Sequence, residues 1–432
     1  MVSRFGSVRS TRLKGLKRSA HFRELVYFDY AASTPLRREV LDVTTRSLRE
    51  DYGNPSSIHT LGEQSRKVVE EARSRIGSVL NVSEGDKVIF TSCGSESISL
   101  ALKGVVFHSL FAHADKNAHA GNKGSLLEGK LSLNLKKFNF KPHVITSAIE
   151  HKAVLATLYD LYEKGVIDLT VVGVSSLGLV SVPALLRCVR PTTILVSLHY
   201  VNNEIGCVQQ ISKLGLRLRR RGVLFYVDAC QAPCYFSCDV RTLNCDLLTL
   251  TSSKVGGPKG VGLLYVRSGV MLDAQICGGS QEFGFRAGTE NVAGVVGFSV
   301  ALDTAFRLSV KEAVRVRSLQ KKLWYGLSVV GGIKCNSDLI GGSPQVLSVS
   351  LKDVEGEAVV RYLSDKGICV STGSACTSRE VDVSHVISAL GVVPSYALGT
   401  VRFSLGWGST EAEVRKVVAE FLLIVRTLRL VC

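Results

Sequence analysis

The chain has 432 residues, of which 46% are hydrophobic and 21% are charged. That balance supports a large buried core and excludes an intrinsically disordered chain. The formal net charge is +16, but no basic run is interleaved with aromatic residues, so we do not expect nucleic-acid binding. The most apolar stretch, residues 292–302, is shorter than the ~20 residues that span a bilayer and contains glycines, so we expect a soluble protein.

The N-terminus is the most basic part of the chain. Residues 1–23 contain seven Lys or Arg residues, and the first acidic residue is Glu24. An Arg- and Ser-rich, acid-free N-terminus ahead of a folded pattern is typical of an organellar targeting segment. We therefore expect the protein in a mitochondrion or a mitochondrion-related organelle. A disordered basic tail is the alternative interpretation of this segment.

Helices and strands alternate from about residue 60 onward. Residues 61–80 place apolar side chains at helical spacing and predict an amphipathic helix. Short apolar strands are predicted at residues 87–91, 143–147, 193–201, 223–228, 246–252 and 260–267. Several of these strands are apolar throughout, which is typical of a parallel sheet covered on both faces. The sequence thus predicts an α/β protein with a doubly wound, mostly parallel sheet.

The rhythm of helices and strands changes in two places. Residues 112–142 are polar and lack periodicity, so we predict a surface insertion there. After about residue 300 the pattern predicts a second, smaller α+β domain. We therefore expect a large domain over residues 40–300, and a small domain formed by residues 24–39 together with residues 301–432.

The twelve cysteines, in a chain without a secretory signal, favour a reducing compartment. Cys230, Cys234, Cys238 and Cys245 form the densest group, but they lack the CxxC pairs of zinc and iron–sulfur sites. We interpret them as ordinary buried thiols and predict no metal site.

Four polar groups follow predicted strands, where open α/β sheets bind their ligands. Gly94 and Ser95 begin a helix and could bind an anion with backbone N–H groups, although a plain helix cap has the same appearance. His151, Asp228 and Lys254 each end or follow an apolar strand. A carboxylate for a pyridine nitrogen, an amine for an aldehyde and a helix N-terminus for a phosphate together indicate pyridoxal phosphate.

Nine motifs now carry a family resemblance that spans about residues 26–430. They are YFDYAASTP (27–35), GNPSSIH (53–59), EHKAV (150–154), VNNEIG (201–206), VDACQ (227–231), GPKGVG (257–262), RAGTEN (286–291), STGSACTS (371–378) and VRFSLG (401–406). In this order they resemble the motifs of the cysteine desulfurases, a branch of the class V aminotransferases. The resemblance implies the fold-type-I architecture of pyridoxal-phosphate-dependent transferases, with a large and a small domain.

The resemblance implies a role for each matching residue. The implied catalytic residues are Lys254, which carries the cofactor on its amine and moves a proton, His151, which assists proton transfer, and Cys376, the nucleophile. The cofactor-binding residues implied are Lys254, Asp228, Gln231, Asn203, Gly94, Ser95, Thr251, Ser253, His151 and Thr289. Among them, Asp228 pairs with the pyridine nitrogen and Thr289 reaches the phosphate from a partner subunit. The substrate carboxylate is assigned to Arg402, whose fork suits it, with Asn203 nearby.

The family's reaction converts L-cysteine to L-alanine and leaves a persulfide on the enzyme cysteine. In this chain that cysteine is Cys376, which lies among small polar residues in STGSACTSRE, residues 371–380. A structural thiol normally packs in an apolar core, so this composition favours an exposed, moving thiol. The implied partners are L-cysteine, a second copy of the chain in a homodimer, an iron–sulfur scaffold protein that accepts sulfur, and a small accessory subunit. Sulfur supply for tRNA thiolation is a further expectation.

Several alternatives remain at this stage. A class V aminotransferase needs no loop thiol, so Cys376 argues against it, whereas a selenocysteine lyase would use nearly the same residues. An inactive binding partner would not need the catalytic set. Two residues depart from the family pattern: Ser253 stands at a usual histidine, and Cys93 stands at a usual glycine.

Overall fold

The computed structural model describes residues 25–118, 140–373 and 383–431. The predicted targeting segment, Cys376 and most of the predicted insertion therefore lie outside the described residues.

Helices and strands alternate along most of the described chain. The strands are β1 Val26–Tyr27, β2 Lys87–Thr91, β3 His143–Ser147, β4 Asp168–Val172, β5 Thr193–His199, β6 Leu224–Asp228, β7 Leu247–Thr251, β8 Gly262–Val266, β9 Ile333–Cys335, β10 Val346–Leu351, β11 Ile368–Cys369 and β12 Thr400–Ser404. The helices are α1 Arg38–Glu50, α2 Thr60–Leu80, α3 Gly94–Ala118, α4 Lys152–Glu163, α5 Val182–Arg187, α6 Ile211–Arg219, α7 Val240–Leu243, α8 Val292–Leu327, α9 Gly356–Asp365, α10 His385–Ala389, α11 Pro394–Ala397 and α12 Glu411–Val431.

A seven-stranded sheet forms the centre of the structure, with strand order β2-β8-β7-β6-β5-β3-β4. Only β8 runs against its neighbours β2 and β7, and the other pairs are parallel. All six predicted strands are present, with ends that differ by at most two residues, and β4 joins them at an edge. The prediction of a mostly parallel α/β sheet is confirmed.

The sheet is covered on both faces, which explains why its strands are mostly apolar. Along β6, Phe225 and Val227 pack into one core cluster, whereas Tyr226 packs into the cluster on the opposite face. Successive side chains of a strand point to opposite faces, so a strand buried on both sides favours apolar residues at successive positions. Ser197 on β5 and Thr249 on β7 are small, buried polar exceptions.

Two smaller sheets lie beside the large one. β12, β10 and β9 form a three-stranded antiparallel sheet, and β1 pairs with β11. Helix α8 serves both parts, because Phe298 packs into a core of the large sheet and Leu323 packs with Phe403 into a separate core. Residue 300 thus lies inside one continuous helix. The boundaries proposed for the two domains stay a prediction.

One sequence expectation is wrong in its detail. Residues 112–118, assigned to an insertion, continue helix α3 to Ala118, because a helix already nucleated by buried turns extends readily through residues such as Ala and Lys.

The most apolar stretch, residues 292–302, is the start of the long helix α8. By length and composition it could cross a membrane, but 61% of its most apolar window is buried inside the structure, as in a core helix.

Candidate active site

A cavity of about 400 Å³ lies at the carboxyl ends of β5, β6 and β7. It brings together most of the predicted site residues: Gly94, Ser95, His151, Asn203, Asp228, Gln231, Thr251, Ser253, Lys254 and Arg402. Thr289 is exposed and does not line the cavity of its own chain, while Cys376 lies outside the described residues. The cavity is also lined by residues that the sequence analysis did not select, among them Ala31, Ala32, Cys93, His199, Cys230 and Gly373.

Lys254 ends a short 3-10 turn, Ser252–Lys254, that directly follows β7. Its Nζ atom donates to the carbonyl oxygen of Ala31 at 2.8 Å and also to that of Ala32. The same segment fixes the turn, because Thr34 donates to the Ser253 carbonyl from both its N–H and its hydroxyl group, each at 2.8 Å. The N-terminal part of the described chain therefore positions the lysine.

Asp228 is the last residue of β6 and is buried, with 6% of its surface exposed. Its Oδ1 atom accepts a hydrogen bond from the Cys230 N–H at 3.0 Å. A carboxylate has about four acceptor positions, so this bond orients the side chain and leaves other lone pairs for a ligand in the cavity.

Helix α3 begins at Gly94, at the wall of the cavity. The Ser97 N–H donates to the Cys93 carbonyl at 3.1 Å, which closes the first turn, and Glu96 turns back to accept from the Ser92 N–H at 2.8 Å. Within the described chain, the N–H groups of Gly94, Ser95 and Glu96 have no acceptor. The first turn therefore offers the open donors that an anion such as a phosphate binds.

His151 caps helix α4 and faces the same cavity. Its Nδ1 atom accepts from the Ala153 N–H at 3.1 Å, so the neutral ring carries its proton on Nε2. Burial lowers the pKa of His151 below its usual 6.5, a shift to which Lys254 adds and which Asp228 opposes. The ring is therefore neutral at physiological pH and can accept or donate a proton only through Nε2.

A second histidine of the cavity wall, His199, forms a buried ion pair with Glu150. His199 Nδ1 lies 3.1 Å from Glu150 Oε1, and both side chains are at most 4% exposed. Burial alone would lower the pKa of His199, but the Glu150 carboxylate overrides it and raises the pKa to about 10. The predicted strand continued to residue 201, so His199 did not stand out as a strand-end residue; in the structure it ends β5 and is the register partner of Asp228 on β6.

Arg402 reaches the cavity from the small three-stranded sheet, on β12. Its Nη2 atom donates to Asp29 Oδ1 at 2.9 Å, and its Nη1 atom donates to the Asn203 carbonyl at 3.0 Å. The Nε atom is buried and has no partner within the described chain. Two contacts thus hold the guanidinium plane, and three of its five N–H groups are not used by them. Asp29 belongs to the quoted YFDYAASTP motif but was not assigned a role there.

The side-chain amide of Gln231 likewise has one atom that is hydrogen-bonded within the protein and one that is not. Its Nε2 atom donates to the Ala31 carbonyl at 2.9 Å, whereas its Oε1 atom is buried without a partner among the described residues. A buried polar atom without a partner costs free energy unless a ligand or water satisfies it. Gln231 and Arg402 thus each bring a polar side chain with one unsatisfied atom to the wall of the cavity.

Comparison with known proteins places the chain in a family. The model of the aminotransferase class-V family matches residues 26–117 and 130–417. A cysteine desulfurase IscS from Dictyoglomus turgidum is 36% identical over 405 residues, which cover 94% of this chain and 95% of that relative. A cysteine desulfurase IscS from Methanosarcina thermophila is 37% identical over 405 residues, or 94% and 93% of the two chains.

Solved structures agree with these matches. A NifS-like protein superimposes with a TM-score of 0.81 at 34% identity, covering 94% of this chain and all of that one. The structure titled SspA in complex with cysteine gives a TM-score of 0.72 at 32% identity, over 88% and 98% of the two chains. The chain therefore belongs to the class-V aminotransferase family and, within it, to the cysteine desulfurases, which are pyridoxal-phosphate-dependent enzymes.

Proposed function

We propose that the protein is a cysteine desulfurase that converts L-cysteine to L-alanine and collects the sulfur as a persulfide on Cys376. One observation carries the proposal: Lys254, Asp228 and the open first turn of α3 converge with Arg402 in a single cavity. This set serves both a cofactor and an α-amino acid, since Arg402 suits the carboxylate of the substrate.

The residues of the cavity fit pyridoxal phosphate. The open N–H groups of Gly94 and Ser95 suit a phosphate, the free lone pairs of Asp228 suit a protonated pyridine nitrogen, and Lys254 suits an aldehyde. The unpartnered Oε1 of Gln231 is a further polar atom in need of a ligand. Asn203, Thr251 and Ser253, together with His151 at the wall, would complete the binding set.

When bound, pyridoxal phosphate supplies an electron sink that stabilises negative charge at the α-carbon of an amino acid. The chain supplies the rest. Lys254 Nζ would move the α-proton, and the neutral His151 would hold or release a proton at Nε2. Arg402 would bind the carboxylate and orient the substrate, because its plane is already fixed by Asp29 and Asn203.

The sulfur step is assigned to Cys376. Gly373 lines the cavity, and three residues of chain reach at most about 11 Å, so Cys376 is tethered to the site. Its thiolate would attack the sulfur of L-cysteine, the C–S bond would break, and the carbon skeleton would leave as alanine after taking up a proton. One thiol and one cysteine give one persulfide and one alanine, so no oxidant is needed.

The test is sulfide and alanine production from L-cysteine with a thiol reductant. We expect Cys376→Ala to keep the cofactor absorbance and to lose almost all sulfide release, while Cys277→Ala, which removes an exposed cysteine outside the cavity, keeps both. Normal turnover by Cys376→Ala would refute the assignment. Activity with selenocysteine but not with cysteine would favour the alternative of a selenocysteine lyase.

We also propose that two copies form a homodimer in which Thr289 of one subunit serves the cofactor phosphate of the other. The support is that Thr289 is exposed and does not line the cavity of its own chain, although it lies in a family motif. Sedimentation should give a dimer mass, and Thr289→Ala should weaken cofactor retention without lowering the dimer fraction. A fully active monomer would contradict this proposal.

Delivery of the sulfur completes the proposal. The proposed sulfur acceptors are an iron–sulfur scaffold protein, aided by a small accessory subunit, and the tRNA-thiolation route. The proposed location of the protein is a mitochondrion or a related organelle. The support for the place is the basic, acid-free segment of residues 1–23. A fluorescent fusion of the full chain should enter the organelle, and removal of residues 1–23 should leave the fusion in the cytosol; an unchanged distribution would refute the targeting role.

A further inference from the structure

Two cysteines other than Cys376 belong to the wall of the cofactor cavity, and they differ in accessibility. Cys93 and Cys230 both line the cavity, but only Cys93 is exposed. Burial, with the nearby Asp228 carboxylate, raises the pKa of Cys230 well above its usual value, so that thiol ionises less readily and should react more slowly. Cys93 is therefore the more accessible of these two thiols in the described cavity wall.

The main chain holds Cys93 in place. Its carbonyl oxygen accepts from the Ser97 N–H and from the Thr91 hydroxyl group, each at 3.1 Å. Gly262 on β8 packs against the same turn, since a Cβ atom there would lie 2.6 Å from the Cys93 carbonyl carbon. The Cys93 sulfur lies 3.7 Å from the Ser92 hydroxyl group, at the start of the turn whose next residues, Gly94 and Ser95, carry the open N–H groups.

The cavity itself is built for a polar ligand. Arg402 and Gln231 are 2% and 8% exposed, and each carries one buried polar atom, Nε and Oε1, that has no partner within the described chain. A ligand bound at the first turn of α3 would lie next to Cys93, which lines the same wall of the cavity.

We propose that Cys93 is a thiol-modification site in the cofactor cavity, and that its mixed disulfide with a low-molecular-weight thiol and the bound cofactor exclude each other. The Cys93 thiolate attacks one sulfur of a low-molecular-weight disulfide and forms a new S–S bond while the reagent's own S–S bond breaks. The released half leaves as a thiolate and takes up the proton that Cys93 lost. The inference rests on the cofactor binding of the proposed function but not on desulfuration.

The first experiment measures alkylation of the purified full chain by iodoacetamide, with peptide mass spectrometry at each cysteine. Without cofactor, Cys93 should react about as fast as the exposed Cys277, and Cys230 should react far more slowly. Cofactor should slow labelling of Cys93 at least about tenfold and leave Cys277 unchanged, and inorganic phosphate should protect Cys93 in part. Equal labelling of Cys93 with and without cofactor would overturn the proposal.

The second experiment treats cofactor-free protein with oxidised glutathione and then follows cofactor uptake by absorbance. All proteins carry Cys376→Ser, so that the predicted nucleophile cannot respond. We expect uptake to be lost after treatment and recovered with dithiothreitol, both in this background and with Cys277→Ser added. With Cys93→Ser added, uptake should be the same before and after treatment; sensitivity that persists there would contradict the proposal.

The two proposals fail in different ways. A protein that binds cofactor and protects Cys93 but releases no sulfide would refute desulfuration and leave the modification site intact. A protein that desulfurates normally while Cys93 reacts equally fast in both states would refute only the modification site.

Discussion

The two sides of the cavity are built from different sheets and do different work. The cofactor side comes from the large parallel sheet, where Asp228 and Lys254 stand at the ends of neighbouring strands. The substrate side comes from the small antiparallel sheet, where Arg402 is held by Asp29 and the Asn203 carbonyl. On the first side a strand end suffices to place a residue, whereas on the second the placement depends on contacts between distant segments. Mutations on the two sides should therefore fail in different ways.

The largest effect is expected on the cofactor side, from Lys254→Ala. Loss of the amine removes both the attachment point and the base, so the turnover rate should fall by about 10³-fold or more. The absorbance of the bound cofactor should shift, while the affinity for L-cysteine changes little by comparison. Spectra and single-turnover rates measure both, and Lys259→Ala, an exposed lysine outside the cavity, is the matched control. A Lys254→Ala variant that keeps the wild-type spectrum would contradict the assignment of Lys254 as the attachment point of the cofactor.

On the substrate side, Arg402→Ala should lower kcat/KM for L-cysteine by about 10- to 100-fold, the usual worth of a charged hydrogen bond. The loss should appear mainly in KM, and the cofactor absorbance should be preserved, because Arg402 lies on the other sheet. Arg402→Lys should recover little, since an ammonium cannot keep the fork held by Asp29 and Asn203. Loss of cofactor in Arg402→Ala would erase the distinction between the two sides.

The pH dependence of kcat tests the role of His151. Because burial lowers its pKa, the neutral form is lost only when the pH falls below the usual 6.5. The acid limb of kcat should therefore lie below pH 6.5 in the wild type, and His151→Gln should lose that limb along with about tenfold of kcat. His108→Gln, a half-exposed histidine away from the cavity, should keep the wild-type profile. An unchanged acid limb in His151→Gln would assign it to another group.

The smallest effect on catalysis is expected for His199, whose ion pair with Glu150 contributes to stability. Since its folded-state pKa is raised from 6.5 to about 10, its contribution is fully present below pH 6.5 and is lost as the pH rises toward 10. His199→Gln should thus be destabilised by about 3 kcal/mol at pH 6, the usual cost of breaking a buried pair. Denaturant unfolding should show the difference from wild type shrinking toward pH 10. A constant difference would mean that His199 is neutral throughout, and His199→Gln combined with Glu150→Gln should recover part of the loss.

Strand ends were predictable, and positions that depend on distant segments were not. Asp228, Lys254 and the α3 turn could be located because each ends or follows a mostly apolar run, and charged groups are hard to bury inside a sheet that is covered on both faces. His199 ends β5, but the predicted strand continued to residue 201, and its partner Glu150 lies on a different segment, so no local pattern indicated that pairing.

The sequence by itself determined the alternating α/β order, the strand-end residues and, through its ordered motifs, the family. The tertiary structure decided that Asp29, 373 residues before Arg402 along the chain, holds the guanidinium group, and that the carbonyls of Ala31 and Ala32 receive the amine of Lys254. It also decided that Cys93 and Cys230 line the same cavity and that Cys93 is the more exposed of the two. Periodicity reports which face of an element is buried, because burial follows the local repeat of side chains. Pairings between distant segments follow from how the sheets pack against one another, and no local repeat encodes them.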